Sequence, residues 1–452
     1  MIRERYAHPR FDLVPLGSLT QIVQYGTSKR STSELGGVPV LRIPNLQVDG
    51  WDLSDLKYLP LTPEELSTYR LEKGDILFNR TNGSRELVGK CEVFDFDGDY
   101  GFASYLIRLR IDQDQALPEF VTAFLNTFWG RRQVEHVSRQ ILMSNINTEE
   151  IRALQIPLPK PSKQRELLAA LDAARATRRE KLAQADGLLA GLDSLVLDAL
   201  GLSAPATHDP SWPFAVRLKS VRGNRLDPPA YTPFPIPRNP RRIPIEPLAK
   251  VAAIDANTAP RPPDNDAIVP YVGLPECDLN DVREVATRTF AEAKGRSIAR
   301  VGDILFARIE PSIFNKKYVF VEHLGGHDHV YLSTEFYTVR AHGDEDDQRY
   351  LYAMFQSAFV FNQVRGKTTG SSGRRRLDPE MFASLLVPWP DRTIRKKIAA
   401  EVVHRREEAR RLREEARTLW DEAKRRFEDE LLGPEPSAEA RTTGGSKRGR
   451  KQ

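Results

Sequence analysis

The chain has 452 residues, 67 Lys and Arg against 62 Asp and Glu, and two cysteines, Cys91 and Cys277. That length exceeds the ~100–200 residues of one domain and predicts at least two, while two cysteines exclude a disulfide framework and a Cys-rich zinc site. No run reaches the roughly 18 apolar residues of a membrane span, and MIRERYAHPR lacks an apolar leader core, so a cytoplasmic protein is expected.

In chain order, short alternating apolar runs come first. Val38–Ile43, Asp75–Phe78 and Leu106–Ile111 lie between Gly, Asn and Asp turns and predict strands. A short helix is predicted over Pro118–Phe128. Pro157, Pro159 and Pro161 then form a bridge that closes the globular part, because proline continues neither a ladder nor a helix interior. Past Ser162, a good N-cap, no proline occurs up to Leu200. Leu168, Leu171, Arg175, Arg178, Leu182, Ala185, Leu189, Leu192, Val196 and Ala199 keep the alternating spacing of a heptad seam.

A Pro-rich linker (203–242) follows, and the plan repeats. Strands are predicted at Ile304–Ala307, Tyr318–Val321 and Glu335–Val339, a helix at Gln348–Phe359, and a bridge at Pro388 and Pro390. A second long helix runs from about Thr393 to Leu432, with Val402, Arg405, Ala409, Leu412, Ala416, Leu419 and Ala423 in its seam. At ~1.5 Å per residue each long helix spans roughly 60 Å. Neither is apolar all round, so each needs a partner, and the other is the nearest one. An intramolecular coiled coil is expected, in preference to helices packed separately or used for oligomerisation.

The tail from Gly433 is poor in apolar residues and reads as disordered. It holds five Lys/Arg and two Glu, so of the net charge of +5 only +2 belongs to the rest. Nucleic-acid contact would therefore use local basic patches rather than bulk charge. The expected organisation is 1–160 globular, 161–202 helix, 203–242 linker, 243–390 globular, 391–432 helix and 433–452 tail.

The two halves share letters as well as a plan. GDILF occurs at Gly74 and again at Gly302, an offset of 228. Val38 answers Val269, Ser104 answers Ser333, Ile156 answers Val387 and Leu200-Gly201 answers Leu432-Gly433, all in one order at offsets of 229 to 232. The chain is a tandem duplication of a domain with a helical appendage, far longer than a solenoid repeat.

No catalyst emerges. Neither GxxxxGK[ST], GxGxxG nor G-x-S-x-G is present. Asp227-Pro228-Pro229-Ala230-Tyr231 approaches the [DN]PP[YF] motif of amino-methyltransferases, but Ala230 intervenes and no Gly-rich cofactor turn accompanies it. His323, His327 and His329 sit at a Gly-Gly turn matching Phe96–Asp99 in the first copy, so a hairpin turn is expected in both copies rather than a metal site. Asp75 and Asp303 are expected to start buried strands rather than act as acid or base.

Three stretches carry a family likeness: LEKGDILFNRTNGSRELVGK from Leu71, NINTEEIRALQIPLPKPSKQRELL from Asn145 and GSSGRRRLDPEMFASLLVPWP from Gly370. Together with the repetition of frame, Pro-bridge and helix, they resemble the specificity subunit of type I restriction-modification enzymes, over about Leu16 to Leu432. The resemblance implies an α+β chain with two tandem target recognition domains, each reading half of a bipartite DNA sequence. It implies an antiparallel coiled coil that sets the spacer between half-sites. It further implies a non-catalytic chain without its own cofactor, docked to two modification subunits carrying S-adenosylmethionine, with restriction subunits adding ATP- and Mg-dependent cleavage. A coiled-coil adaptor without DNA binding, and the recognition subunit of a related bifunctional enzyme, are the alternatives.

Base and phosphate contacts call for paired donors and acceptors. In the first domain Arg80, Thr81, Asn82, Ser84, Arg85 and Lys90, with Arg139, Gln140, Ser144 and Asn145, are the expected DNA contacts. In the second they are Arg308, Ser312, Asn315, Lys316 and Lys317, with Lys367, Thr368, Thr369, Ser371, Ser372, Arg374, Arg375 and Arg376. The helical seam is expected at Leu168, Leu171, Leu182, Leu189, Leu192, Val196, Val402, Leu412 and Leu419. The two copies differ after GDILF: Asn79-Arg80-Thr81 against Ala307-Arg308-Ile309. The double substitution Arg374→Ala/Arg376→Ala is expected to cost several kcal/mol of DNA binding by the assembled enzyme, at ~1–3 kcal/mol per base contact. Unchanged binding and methylation would remove this loop from the interface.

Overall fold

A computed structural model describes residues 9–433 apart from 34–35, 48–49, 83–86, 138, 141–143, 204–214, 216–233, 260–263, 278–279, 294–295, 366 and 371–374. The chain is α+β and divides into two compact units, residues 1–182 with 413–452, and residues 183–412. Both division points fall inside a long helix, so each helix contributes to both units.

The first unit is built on a four-stranded antiparallel sheet in the order Thr20–Tyr25, Leu106–Ile111, Asp75–Asn79, Cys91–Val93. The second repeats that order with Ala252–Ile254, Phe336–Ala341, Ile304–Ala307 and Tyr318–Phe320. A second sheet in each unit pairs one strand in parallel with a later one. Val40 lies opposite Gly101 in the first unit, and Tyr271 opposite Tyr331 in the second. A third small ladder joins the entry strand to the Pro-bridge, Leu13 opposite Pro157 and Ile245 opposite Pro388. The bridge therefore does extend a ladder, with proline as its last paired residue, a position that proline tolerates.

GDILF is apolar on both faces because both faces are covered. Ile76 and Phe78 pack with Phe120 and Phe124, while Leu77, pointing the other way, packs with Leu41, Phe94 and Phe102. In the second copy Ile304 and Phe306 pack with Phe355 and Phe359, and Leu305 with Val272 and Val319.

Two expectations are corrected. The turns at Phe96–Asp99 and His323–His329 are not hairpins. The strands before them, Cys91–Val93 and Tyr318–Phe320, end in one sheet, and those after, Gly101–Phe102 and Val330–Leu332, lie in another. No group of three metal-ligating side chains lies together among the described residues. Each short helix is also two. Pro118–Leu125 and Phe128–Val137 are separated at Thr127, and Glu345–Gln356 and Ala358–Val364 at Ser357. Thr127 Oγ1 donates to Phe124 O at 2.7 Å and Ser357 Oγ to Met354 O at 2.6 Å, so a hydroxyl takes up a carbonyl at the end of the first helix in both copies.

A buried glutamine is duplicated as well. Gln133 donates to Gln155 O at 3.0 Å and accepts from Gln155 N at 2.9 Å. Gln363 donates to Leu386 O and accepts from Leu386 N, both at 2.8 Å. These amides complete the outer edge of the bridge strand, which a helix covers. Gln363→Met fills the space but orphans both backbone groups of Leu386, so a loss of ~1–3 kcal/mol is expected in urea unfolding of the full chain. An unchanged midpoint would refute that assignment.

The long helices run Pro161–Ala190 and Arg392–Leu432. The first begins one residue before the predicted cap and stops at Gly191, after which Leu192–Leu200 continues as a separate helix. The seam thus has a break that the proline-free run hid. Gly191 O accepts from Arg405 Nη1 at 3.2 Å, and a Cβ at Gly191 would stand 2.9 Å from that nitrogen. Gly201, at φ +68, closes the shorter helix with bonds from Gly201 N to Asp198 O and from Leu202 N to Leu197 O.

Within the first unit the helix segments run antiparallel. Lys163 faces Glu430, the Arg175 guanidinium lies 5.5 Å from the Trp420 ring centre, and Lys181 Nζ lies 2.7 Å from Glu415. Leu171 is buried there, with Leu168 partly so, beside Phe427 and Leu431. Leu182 and Leu419 are half-buried. Within the second unit Ala185 and Leu189 pack on Ala409 and Leu412 with the same sense, and Leu192, Val196 and Val402 enter its main core.

Candidate nucleic-acid interface

The loop after each GDILF strand is held by a frame of backbone bonds common to both copies. In the first unit Arg80 N donates to Tyr105 O and Arg80 O accepts from Ile146 N. In the second Arg308 N donates to Glu335 O and Arg308 O accepts from Leu377 N. The residue after each arginine joins a short ladder, Thr81 opposite Asn145 and Ile309 opposite Arg376. Position by position, Tyr105 therefore corresponds to Glu335, and Asn145 to Arg376.

Both arginines lie against an aromatic ring. Arg80 Cζ is 5.0 Å from the Tyr25 centre and Arg308 Cζ 4.7 Å from that of Tyr337. Arg80 is further held by Nε to Ser104 O at 2.9 Å and Nη1 to Asn145 Oδ1 at 3.4 Å. Its surroundings are aromatic and open, with Tyr25 39% and Tyr105 54% exposed. Nε of Arg308 is buried and has no hydrogen-bond partner among the described residues. The surroundings of Arg308 are acidic. Asp255 accepts from Thr338 N at 2.8 Å, and burial raises its pKa while Arg308 acts against the rise. Glu335 takes Nε and Nη2 of Arg376, the former at 2.8 Å, and this bond raises the guanidinium's pKa. Arg375 donates to Thr368 O at 2.9 Å and lies 3.6 Å from Glu310, which also takes the Thr368 hydroxyl.

The structure brings together Arg80, Thr81 and Asn145 in one unit, and Arg308, Thr368, Arg375 and Arg376 in the other. Thr81 and Thr368 are buried, so their side chains serve the loops from inside. Asn82, Arg139, Gln140 and Ser144 lie in the ladders around Arg80. Ser84, Arg85, Ser371, Ser372 and Arg374 fall outside the described residues.

The remaining expected contacts have other surroundings. Lys90 donates to Leu46 O at 2.8 Å, has its pKa lowered by burial, and lines a cleft of about 400 Å³ with Glu92, Arg131, Arg175 and Trp420. Lys316 donates to Gln356 O at 2.9 Å and Lys317 to Leu274 O, so both ammonium groups are engaged by backbone. Asn315 is exposed, Ser312 and Lys367 lie in the flanking loops, and Thr369 stands opposite Arg376 in the Thr368–Thr369 ladder. Tyr25, Tyr105, Glu310, Glu335 and Tyr337 were missed. Aligning ASYLIRLR with LSTEFYTVR on Ser104 and Ser333, with one extra residue in the second, would have set Tyr105 against Glu335.

Residues 11–184 match the type I restriction modification DNA specificity domain. The chain is 28% identical over 164 residues to the type I restriction enzyme EcoKI specificity subunit of Escherichia coli, covering 36% of this chain and 35% of that one. It is 29% identical over 155 residues to the StySPI specificity subunit of Salmonella potsdam, covering 34% of each. These matches thus span about a third of the length of the curated relatives. The S subunit of a type I restriction-modification system from M. genitalium aligns with 95% of this chain and 97% of its own, at a TM-score of 0.39 and 13% identity.

Proposed function

We propose that this chain, whose residues 11–184 form a type I restriction-modification DNA specificity domain, is the DNA-reading subunit of such an enzyme and performs no chemistry of its own. The observation that carries this reading is the duplicated frame around Arg80 and Arg308, conserved in its backbone bonds and changed in its side chains. A shared frame presents two surfaces in one way, and different side chains on it give two different half-sites, as base readout requires.

The two long helices form an antiparallel coiled coil that fixes the spacing of those half-sites. The descending partner order within each unit supports this: Lys163, Arg175 and Lys181 against Glu430, Trp420 and Glu415, and Ala185 and Gly191 against Ala409 and Arg405. The domain limits are those drawn from the sequence, with 1–160 and 243–390 as recognition domains. Two modification subunits dock on the chain and bring S-adenosylmethionine, and restriction subunits bring ATP and Mg. The assembly works in the cytoplasm on double-stranded DNA. No helix among the described residues is long and apolar enough to cross a membrane.

Sequencing the methylated bases of the host with and without this gene tests the reading. A bipartite motif that disappears on deletion is expected. No lost motif, with the partner subunits expressed, would end it. Removing seven residues, two helical turns, from the first long helix is expected to change the spacer of that motif or abolish methylation.

A further inference from the structure

We infer that the two positions flanking the shared arginine are where the units read different base pairs, the first an A·T pair and the second a G·C pair. This rests on the DNA-reading function proposed above. The shared element is the arginine, Arg80 and Arg308, at equivalent places in the backbone frame. Each lies near a tyrosine ring, but the rings come from different strands, Tyr25 from Thr20–Tyr25 and Tyr337 from Phe336–Ala341. Next to Arg80 stand Tyr105, which is 54% exposed, and the exposed Asn145. Next to Arg308 stand Glu335 and Arg376, bound to each other.

These exchanges change which groups the surface offers. Asn carries an acceptor and two donors in one plane and matches adenine N6 and N7, and an apolar aromatic edge matches the thymine methyl. Asn145 Oδ1 already accepts from Arg80 Nη1 at 3.4 Å, so its second lone pair and its amide N–H groups are what it offers to adenine. Tyr105 with Asn145 therefore suits the two bases of an A·T pair. Arginine matches guanine O6 and N7, and a carboxylate accepts from cytosine N4. Glu335 with Arg376 suits the two bases of a G·C pair. The carboxylate has a second consequence, since it repels phosphate and so disfavours a purely backbone-binding role for Arg376.

The test uses the full chain co-purified with its cognate methyltransferase subunits and a randomised oligonucleotide library, read by methylation sequencing. The wild-type motif is expected to require A·T at one position of one half-site and G·C at one position of the other. Tyr105→Ala and Asn145→Ala are expected to weaken the A·T requirement roughly ten- to hundredfold and leave the other half-site unchanged. Glu335→Gln is expected to do the same for the G·C requirement. Because Glu335→Gln leaves Arg376 without its partner, the double variant Glu335→Gln/Arg376→Gln, which removes both charges, serves as the second test. The intact preference for the other half-site reports a folded chain. Unchanged preferences would overturn the inference, as would loss of the entire motif in every variant, which would give these side chains a structural role. A wild-type complex with no sequence preference would overturn the DNA-reading function itself.

Discussion

Asp75→Ala and Asp303→Ala are each expected to lower stability by about 3–5 kcal/mol, because each strips a buried ion pair of one partner. The Asp75 side chain is fully buried, takes Arg110 Nε at 2.7 Å and Nη2 at 2.9 Å, and accepts Glu72 N at 2.9 Å. Arg110 stands directly opposite it across the ladder. Asp303 repeats the arrangement, with Arg340 Nε at 2.7 Å and Arg300 N at 2.7 Å. Arg340 follows Val339, the cross-strand partner of Ile304. Alanine at 75 would deprive the buried Arg108 of its neighbouring carboxylate and leave Arg110 with Glu72 alone, and at either site a turn N–H would lose its acceptor. The two sites are not equal. The Arg340 side chain is 48% exposed against 22% for Arg110, so water can recover more of its solvation and Asp75→Ala should cost more. Asparagine keeps an oxygen for the turn and should cost less than alanine at both sites. Urea unfolding of the full-length variants decides, and equal losses for alanine and asparagine would refute the ion-pair account.

The aspartate shows why some features were legible in the sequence and others were not. A strand covered on both faces reads as a continuous apolar run, and a duplicated chain displays that run twice. The GDILF strands, the neighbours Leu106–Ile111, Tyr318–Phe320 and Phe336–Ala341, and the long helices could therefore be placed, whereas Cys91–Val93, Thr20–Tyr25 and Ala252–Ile254 could not. What the sequence hides is contact between residues far apart along it. Tyr105 meets the arginine loop from the turn before Leu106–Ile111, 25 residues on, and Gln363 reaches a strand 23 residues away. No local pattern marks either one. The breaks at Thr127 and Ser357 were missed because a Thr or Ser inside an apolar helix usually bonds back without ending it. The turns at Phe96–Asp99 and His323–His329 were read as hairpins because local turn chemistry fixes the reversal and says nothing of which sheet receives the next strand. The basic run near Gly370 drew attention by its charge, yet Arg375 and Arg376 each stand beside a glutamate, Glu310 and Glu335, that sequence spacing could not supply.

The arginines that follow GDILF are held differently from those paired ones. Among the described residues Arg80 has no carboxylate partner and the buried Nε of Arg308 has no hydrogen bond. Each guanidinium lies near a tyrosine ring, at 5.0 Å for Arg80 and 4.7 Å for Arg308, so less side-chain freedom is left to lose on binding. Arg80→Ala and Arg308→Ala are each expected to cost about 1–3 kcal/mol of specific binding by the assembled complex, the range for a good bidentate base contact. The two arginines share no partner, so their effects should add. The double variant is then expected to bind its specific DNA roughly thirtyfold to twenty-thousandfold more weakly. Arg→Lys at either position should lose most of the same energy, because an ammonium can neither stack flat nor offer a paired fork of donors. Titration of labelled specific and scrambled duplexes with the complex, repeated at two salt concentrations, separates base reading from phosphate attraction. A base-reading arginine lowers the ratio of specific to scrambled affinity, whereas a phosphate contact lowers both alike and flattens the salt dependence. Equal loss on both duplexes would place Arg80 and Arg308 on the DNA backbone and leave sequence reading to the side chains around them.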